Sequence, residues 1–127
     1  MRSRAVGALL ALGALALSVS AQTGWKAGVA RVNITPRESI WLAGYGARTK
    51  PSEGVLQDIY AKALAFEDSD GVTTVLVTAD LLGFTREMSE TIAERARKKY
   101  GLPRERLAFN ASHTHSGPVT EIGRAHV

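Results

Sequence analysis

The 127-residue chain contains no cysteine. A protein exported without cysteine cannot rely on disulfides, and it has no thiolate with which to bind a metal ion. Any metal in this chain would therefore be held by histidine, carboxylate or tyrosine side chains, which is the oxygen-and-nitrogen chemistry of many zinc sites.

The chain also lacks an apolar run long enough to cross a membrane. Its longest, Ala5–Leu17, has 13 residues, whereas a spanning helix needs roughly 20. The run follows two arginines and ends just before the small-residue segment Val19–Ala21. This arrangement predicts a cleaved secretory signal peptide over residues 1–21, and hence export to the periplasm or out of the cell.

The other terminus has an unusual origin. Ile122–Val127 is the translation of ATC GGA AGA GCA CAC GTC, a widely used sequencing adapter. We interpret residues 121–127 as an artefact, which leaves His126 without a function. Residues 22–120 would then be the incomplete N-terminal part of a larger domain.

A strong excess of charge is absent as well. The formal net charge of +4 falls to +2 when the predicted signal peptide and the tail are removed, because 13 basic residues then face 11 acidic ones. The only basic cluster, within residues 95–99, suits the solvated C-terminal end of a helix. No nucleic-acid partner is predicted.

The apolar pattern predicts an α/β fold. Lys26–Ile34 is predicted as a strand, and Asp58–Phe66 with Val72–Ala79 as an antiparallel hairpin around a turn at Asp68–Gly71. An amphipathic helix is expected from an N-cap at Thr85 to Tyr100, followed by a strand at Leu107–Ala111. The prediction is thus a mixed sheet with an antiparallel hairpin and a right-handed β-α-β unit, whose two strands are parallel.

The most informative segment is Asn110–Pro118, which contains His113 and His115. If the chain stays extended here, both imidazoles lie on one face and can address one metal ion or substrate. The alternative is that the histidines only bond neighbouring backbone. Ser116–Pro118 favours a sharp turn, which places the pair at an accessible edge of the sheet.

Asp80 directly follows the predicted strand Val72–Ala79. Parallel strands end at the same edge of a sheet, so the β-α-β unit brings Asp80 and His113 to the edge where α/β proteins usually bind ligands. Three roles remain open for Asp80. It could orient a metal-bound histidine, bind the metal directly, or cap the chain entering the helix.

Five segments, in order, resemble the neutral/alkaline ceramidase family. They are A-G-V-A-R-V-N-I-T-P, A-G-Y-G, I-Y-A-K-A-L-A-F-E-D, V-L-V-T-A-D-L and N-A-S-H-T-H-S-G-P, and they span most of Ala27 to Pro118. The last segment resembles the family's His-Thr-His-Ser-Gly-Pro signature without a mismatch. The resemblance covers the amino-terminal region of the family.

The resemblance implies zinc-dependent hydrolysis of an N-acyl amide, with a ceramide-like lipid as substrate, peripheral membrane contact and no obligate protein partner. His113 corresponds to a zinc ligand, and His115 to a catalytic-site histidine that contacts the polar head of the substrate. The remaining ligands, a His, a Glu and a Tyr, would lie beyond Thr120. Asn33 and Val119-Thr120 depart from the family pattern, which bears on the substrate more than on the chemistry.

A second hypothesis concerns the loop between the first two strands. Its segment Trp41–Gly46 combines aromatic side chains with two glycines, which suits either a plug over the core or a binding surface. In the second case the protein would be a noncatalytic exported module that binds lipid or glycan, with structural histidines.

Overall fold

The computed structural model describes residues 24–120. The predicted signal peptide and the predicted tail lie outside the described residues. The described part contains four strands, one α-helix and one short 3-10 turn. In chain order these are β1 (Lys26–Asn33), β2 (Tyr60–Glu67), β3 (Thr73–Ala79), α1 (Arg86–Tyr100), the turn Arg104–Arg106 and β4 (Leu107–Ala111).

The strands form one mixed sheet in the order β1-β2-β3-β4. β1 pairs with β2 and β2 with β3 in antiparallel fashion, whereas β3 and β4 are parallel. The predicted hairpin, the helix and the parallel pair are therefore confirmed. The hairpin turn is fixed by Asp68, whose carboxylate accepts hydrogen bonds from the backbone N–H groups of Asp70 and Val72 at 2.9 Å.

Helix α1 begins and ends where its capping residues predict. Thr85 has an extended backbone, and its hydroxyl accepts a hydrogen bond from the N–H of Met88 at 3.1 Å. At the other end Gly101 adopts a left-handed φ of 66° and its N–H bonds the carbonyl of Arg97. Glycine suits this position because it carries no Cβ. No helix in residues 24–120 has the length and apolar character needed to span a membrane.

The helix packs on the β3-β4 half of the sheet. The buried residues of this contact are Ala93, Leu102 and Leu107, and Val75, Val77, Ala96 and Phe109 pack around them. Because side chains alternate along a strand, every second residue of β3 and β4 faces the helix. This core holds the two parallel strands in register, and so it positions their carboxyl ends.

The opposite face of the sheet is also apolar across its middle. The pairing register aligns Val29, Leu64, Leu76 and Ala108 in one row across the four strands. Val29 is 84% exposed in the described part of the chain. Strands with apolar residues on both faces are typical of a sheet covered on both sides.

Candidate metal centre

The site begins where the parallel strands end. The segments that follow β3 and β4 remain hydrogen-bonded to each other. The N–H of Ser112 bonds the carbonyl of Ala79 at 3.0 Å, and the N–H of Thr114 bonds that of Leu81 at 3.2 Å. The histidine segment is therefore held against residues 79–82 by backbone hydrogen bonds, at the carboxyl edge where α/β proteins bind ligands.

His113 does not continue the extended strand. Its φ is 58°, the only positive φ of a non-glycine residue in the described range. Left-handed backbone at a non-glycine residue is uncommon and often marks a functional position. The expected alternation of an extended segment thus stops at this residue, and a backbone turn brings the two imidazoles close instead. Their ring centres lie 5.2 Å apart in an edge-to-face arrangement.

The imidazole of His113 is oriented by a backbone carbonyl. Its Nδ1 lies 2.9 Å from the carbonyl oxygen of Leu82. A carbonyl can only accept, so Nδ1 carries the proton and donates it, which in the neutral form of the ring leaves the lone pair on Nε2. Histidines that bind metals are commonly held in this way by an acceptor behind the ring.

His115 is half-buried beneath the aromatic loop, which we define as residues 37–51 between β1 and β2. Its ring meets the ring of Tyr45 edge-on, with centres 4.8 Å apart. Gly44 lies so close that a Cβ there would sit 2.3 Å from Cγ of the imidazole. The loop segment Trp41–Gly46 therefore contacts the histidine segment directly, a proximity that its sequence did not predict.

Backbone pairing fixes the loop in this place. The N–H of Ala43 bonds the carbonyl of Gly117 at 2.9 Å, and the N–H of Val119 bonds that of Trp41 at 3.1 Å. An isolated antiparallel bridge between Leu42 and Pro118 lies between these bonds. Gly117 is closely surrounded as well, because a Cβ at this position would lie 3.2 Å from the carbonyl oxygen of Asp80.

Arg48 is a site residue that sequence analysis missed. Its Nη2 donates a 2.6 Å hydrogen bond to the carbonyl of His115, and its guanidinium carbon lies 5.2 Å from the ring centre of Tyr45. The only sequence signal was an arginine two residues after the A-G-Y-G segment. Such a residue cannot be told from a solvated surface arginine without the loop's placement.

Asp80 lies at the same edge but bonds another element. Its carboxylate Oδ2 accepts a 2.9 Å hydrogen bond from the N–H of Tyr60, and its own N–H bonds the Tyr60 carbonyl at 3.0 Å. The acceptor behind His113 is thus the Leu82 carbonyl, whereas the described bond of Asp80 fixes the start of β2. The role of Asp80 toward a metal stays a prediction.

A cleft of about 660 Å³ adjoins the site. Its lining includes Asp80 and, from the segment that contains the histidines, Ser112, Thr114 and Ser116, but neither histidine. The cleft's other polar groups include Asp58, whose carboxylate accepts a 3.0 Å hydrogen bond from the Thr35 hydroxyl. The polar side chains of the edge are therefore divided between the cleft and the histidine pair.

The described residues fit part of a zinc site. His113 has the orientation and the free lone pair that a zinc ligand needs. Structural and catalytic zinc sites use three or four protein ligands, however, and residues 24–120 contain no cluster of three or more His, Asp or Glu side chains placed to hold a metal ion. A complete site would need ligands from outside this range.

The structure is that of an α/β protein with two histidines at the carboxyl edge of its sheet. Comparison with known proteins identifies the family. The family model for the N-terminal region of neutral/alkaline non-lysosomal ceramidases matches residues 25–125. The chain therefore belongs to the neutral/alkaline non-lysosomal ceramidase family.

Solved structures agree with this assignment. The crystal structure of neutral ceramidase from Pseudomonas aeruginosa is 26% identical, with a TM-score of 0.69, over 75% of this chain and 16% of that one. A structure of a ceramidase complexed with C2 gives the same identity and TM-score over 75% of this chain and 15% of that one. This chain thus spans about one sixth of the length of the ceramidases it matches.

Proposed function

We propose that the full-length protein hydrolyses the N-acyl amide bond of a ceramide-like sphingolipid, releasing a fatty acid and a sphingoid-type amine. The family match over residues 25–125 supports this reaction most directly. Within the structure, the proposal rests on one observation. The Nδ1–H of His113 is bonded to the Leu82 carbonyl, so the ring offers a lone pair on Nε2 at the sheet edge.

His113 would hold zinc through Nε2, and the family resemblance implies that a His, a Glu and a Tyr beyond Thr120 complete the site. When bound, zinc polarises the amide carbonyl and lowers the pKa of a water molecule. His115, whose ring centre is 5.2 Å from that of His113, would make a hydrogen bond to the polar head of the substrate. The 127-residue chain alone would be inactive, because two histidines do not complete a zinc site.

We also propose that the mature protein is exported, to the periplasm or out of the cell, after cleavage of residues 1–21. Its ceramide-like substrate resides in membranes, so the protein would contact a membrane surface peripherally. We expect no nucleic-acid partner, because the net charge after processing is only +2, and no obligate protein partner.

The test is expression of the complete reading frame, with zinc content and hydrolysis of a fluorescent ceramide measured together. The variant His113→Ala should lose both zinc and activity, whereas His115→Gln should keep zinc and lose activity. Unchanged zinc and hydrolysis in His113→Ala would reject the proposal. Zinc-free lipid or glycan binding that Trp41→Ala abolishes would favour the noncatalytic module instead.

A further inference from the structure

Two buried polar atoms near the site have no hydrogen-bond partner within the described residues. They are Nε of Arg48 and Nδ1 of His115. Both belong to one contact, since the same arginine donates through Nη2 to the carbonyl of the same histidine at 2.6 Å. Unpaired buried polar atoms are rare in folded proteins, and a pair at one place needs a physical reason.

Gly44 explains why Nδ1 of His115 is covered. A Cβ added to this glycine would lie 2.3 Å from Cγ and 2.6 Å from Nδ1 of the imidazole. The glycine backbone therefore lies directly against that edge of the ring. Gly44 also has a φ of +96°, which residues with a side chain rarely adopt. Both the close approach and the backbone angle require glycine here.

The covered nitrogen decides where the imidazole proton sits. A buried N–H without an acceptor is more costly than a buried lone pair without a donor, and it is seen less often. In the neutral form of His115, the proton is therefore expected on Nε2. This is the opposite tautomer to that of His113, whose Nδ1–H bonds the Leu82 carbonyl.

The opposite tautomers give the two rings different chemistry. A metal-bound histidine commonly donates the N–H of its other ring nitrogen to an acceptor. Nδ1 of His113 has such an acceptor in the Leu82 carbonyl, whereas Nδ1 of His115 has none within the described residues. His113 thus presents a lone pair and His115 presents a hydrogen-bond donor, on rings whose centres lie 5.2 Å apart. A donor in this position can hold an oxygen of the substrate's polar head, and so orient the amide for reaction.

Arg48 contacts both His115 and the aromatic ring beside it. Besides its bond to the His115 carbonyl, its guanidinium carbon lies 5.2 Å from the centre of the Tyr45 ring, and that ring is edge-on to His115. A planar guanidinium can bond a carbonyl and stack on an aromatic ring together, which the ammonium group of lysine cannot do in the same geometry.

We propose that Gly44 and Arg48 are positioning residues that fix the His115 imidazole as an Nε2–H donor toward the polar head of the substrate. This inference rests on the proposed function for the role of the donor, but the ring orientation and tautomer can be tested without activity. Neither residue touches substrate in the proposal, and both act through His115.

The first experiment measures the tautomer directly. Full-length protein with 15N-labelled histidine rings is studied by NMR in its zinc-bound form, and the His115 signals are assigned by their loss in His115→Gln. We expect the shift pattern of an Nε2–H ring for His115 and of an Nδ1–H ring for His113. An Nδ1–H pattern at His115 would overturn the inference, whatever the activity of the protein.

The second experiment uses substitutions with a matched control. Gly44→Ala should lower kcat by about 100-fold while zinc content stays unchanged, since a misplacement of roughly 1 Å has that effect on a catalytic group. Gly71→Ala shares the strain of a left-handed glycine, with a φ of 78°, but has nothing within 4 Å of the added Cβ. This control should leave kcat unchanged.

Arg48→Lys keeps the positive charge, and it tests the role of the guanidinium group if Gly44→Ala fails to fold. We expect it to lower kcat with little change in KM and to alter the His115 ring shifts. Full kcat in either variant, or an equal loss in Gly71→Ala, would contradict the proposal. A wild-type protein that binds zinc but hydrolyses no amide would instead refute the proposed function, and the NMR result would still decide the tautomer.

Discussion

Arg48 and His115 are 67 residues apart in sequence, yet Nη2 of the arginine donates a 2.6 Å hydrogen bond to the carbonyl of the histidine. This bond joins the aromatic loop to the histidine segment. Together with the backbone bonds between Ala43 and Gly117 and between Val119 and Trp41, it makes one structural unit of two loops. Changes in either loop should therefore be felt at the histidine pair.

Asp80 offers a substitution that separates a structural role from a role at the metal. Asp80→Ala should destabilise the start of β2 by about 1–3 kcal/mol, because the N–H of Tyr60 loses its carboxylate acceptor. Asp80→Asn retains an acceptor oxygen and should keep most of that stability. Hydrogen exchange at the Tyr60 amide of the full-length protein measures the effect. Equal loss of zinc or activity in both variants would show that Asp80 acts on the site itself.

The N-cap of α1 should also be measurable. Thr85→Ala removes the hydroxyl that accepts from the Met88 N–H, and N-cap loss typically costs about 1 kcal/mol. Amides in the first turn of α1 should then exchange about fivefold faster in the full-length protein. Thr85→Ser keeps the hydroxyl and should exchange like the wild type. If the serine and alanine variants behave alike, the cap contributes nothing.

The Glu94–Lys98 pair predicts a pH dependence. Lys98 Nζ lies 2.6 Å from Glu94 Oε1 on the surface of α1, and this hydrogen bond, with the charge of the lysine, lowers the pKa of Glu94. A lowered pKa in the folded state means that the pair stabilises the helix above the unfolded pKa. That stabilisation is lost as the pH falls through the folded pKa.

The check compares the thermal stability of wild type and Glu94→Gln at neutral pH and at about pH 3, below the usual glutamate pKa. The wild type should be slightly more stable at neutral pH, and the difference should vanish in acid and diminish in high salt. A difference that is independent of pH would mean that the pair does not act through charge.

The 127-residue chain should expose an apolar sheet face that promotes self-association when it is produced by itself. Val29 is 84% exposed and lies at the end of the apolar row, on the edge strand β1. Exposed apolar edge strands promote association, and a charge placed on them opposes it. Val29→Lys should therefore reduce the binding of a dye that reports exposed apolar surface, and it should reduce the fraction of oligomers seen by sedimentation. Val29→Ile should change neither quantity in this direction. A wild-type chain that is monomeric and binds no dye would contradict this.

Local signals in the sequence predicted the elements well. The hairpin around Asp68–Gly71, the cap at Thr85 and the stop at Gly101 are each governed by neighbouring residues, so periodicity and turn chemistry were enough. The parallel pairing of β3 with β4 followed from the helix between them. Membership of the ceramidase family was also evident from the five segments, and the family model confirms it.

The geometry around the histidines was not predictable in the same way. The left-handed turn at His113 replaces the extended backbone that would have put both imidazoles on one face of the strand. The contact of Gly44 with His115 depends on residues far apart in sequence. No local pattern encodes such a contact, because it arises only after the loop Arg37–Pro51 has folded back on the sheet edge.

That distance has a consequence for the order of events during synthesis. The aromatic loop is synthesised long before residues 112–119, because β2, β3, α1 and β4 lie between them in the sequence. Closing so long a segment is slow compared with making the hairpin or the helix. We therefore expect His115 to reach its place beneath the aromatic loop late in the folding of this region, after the strands have paired.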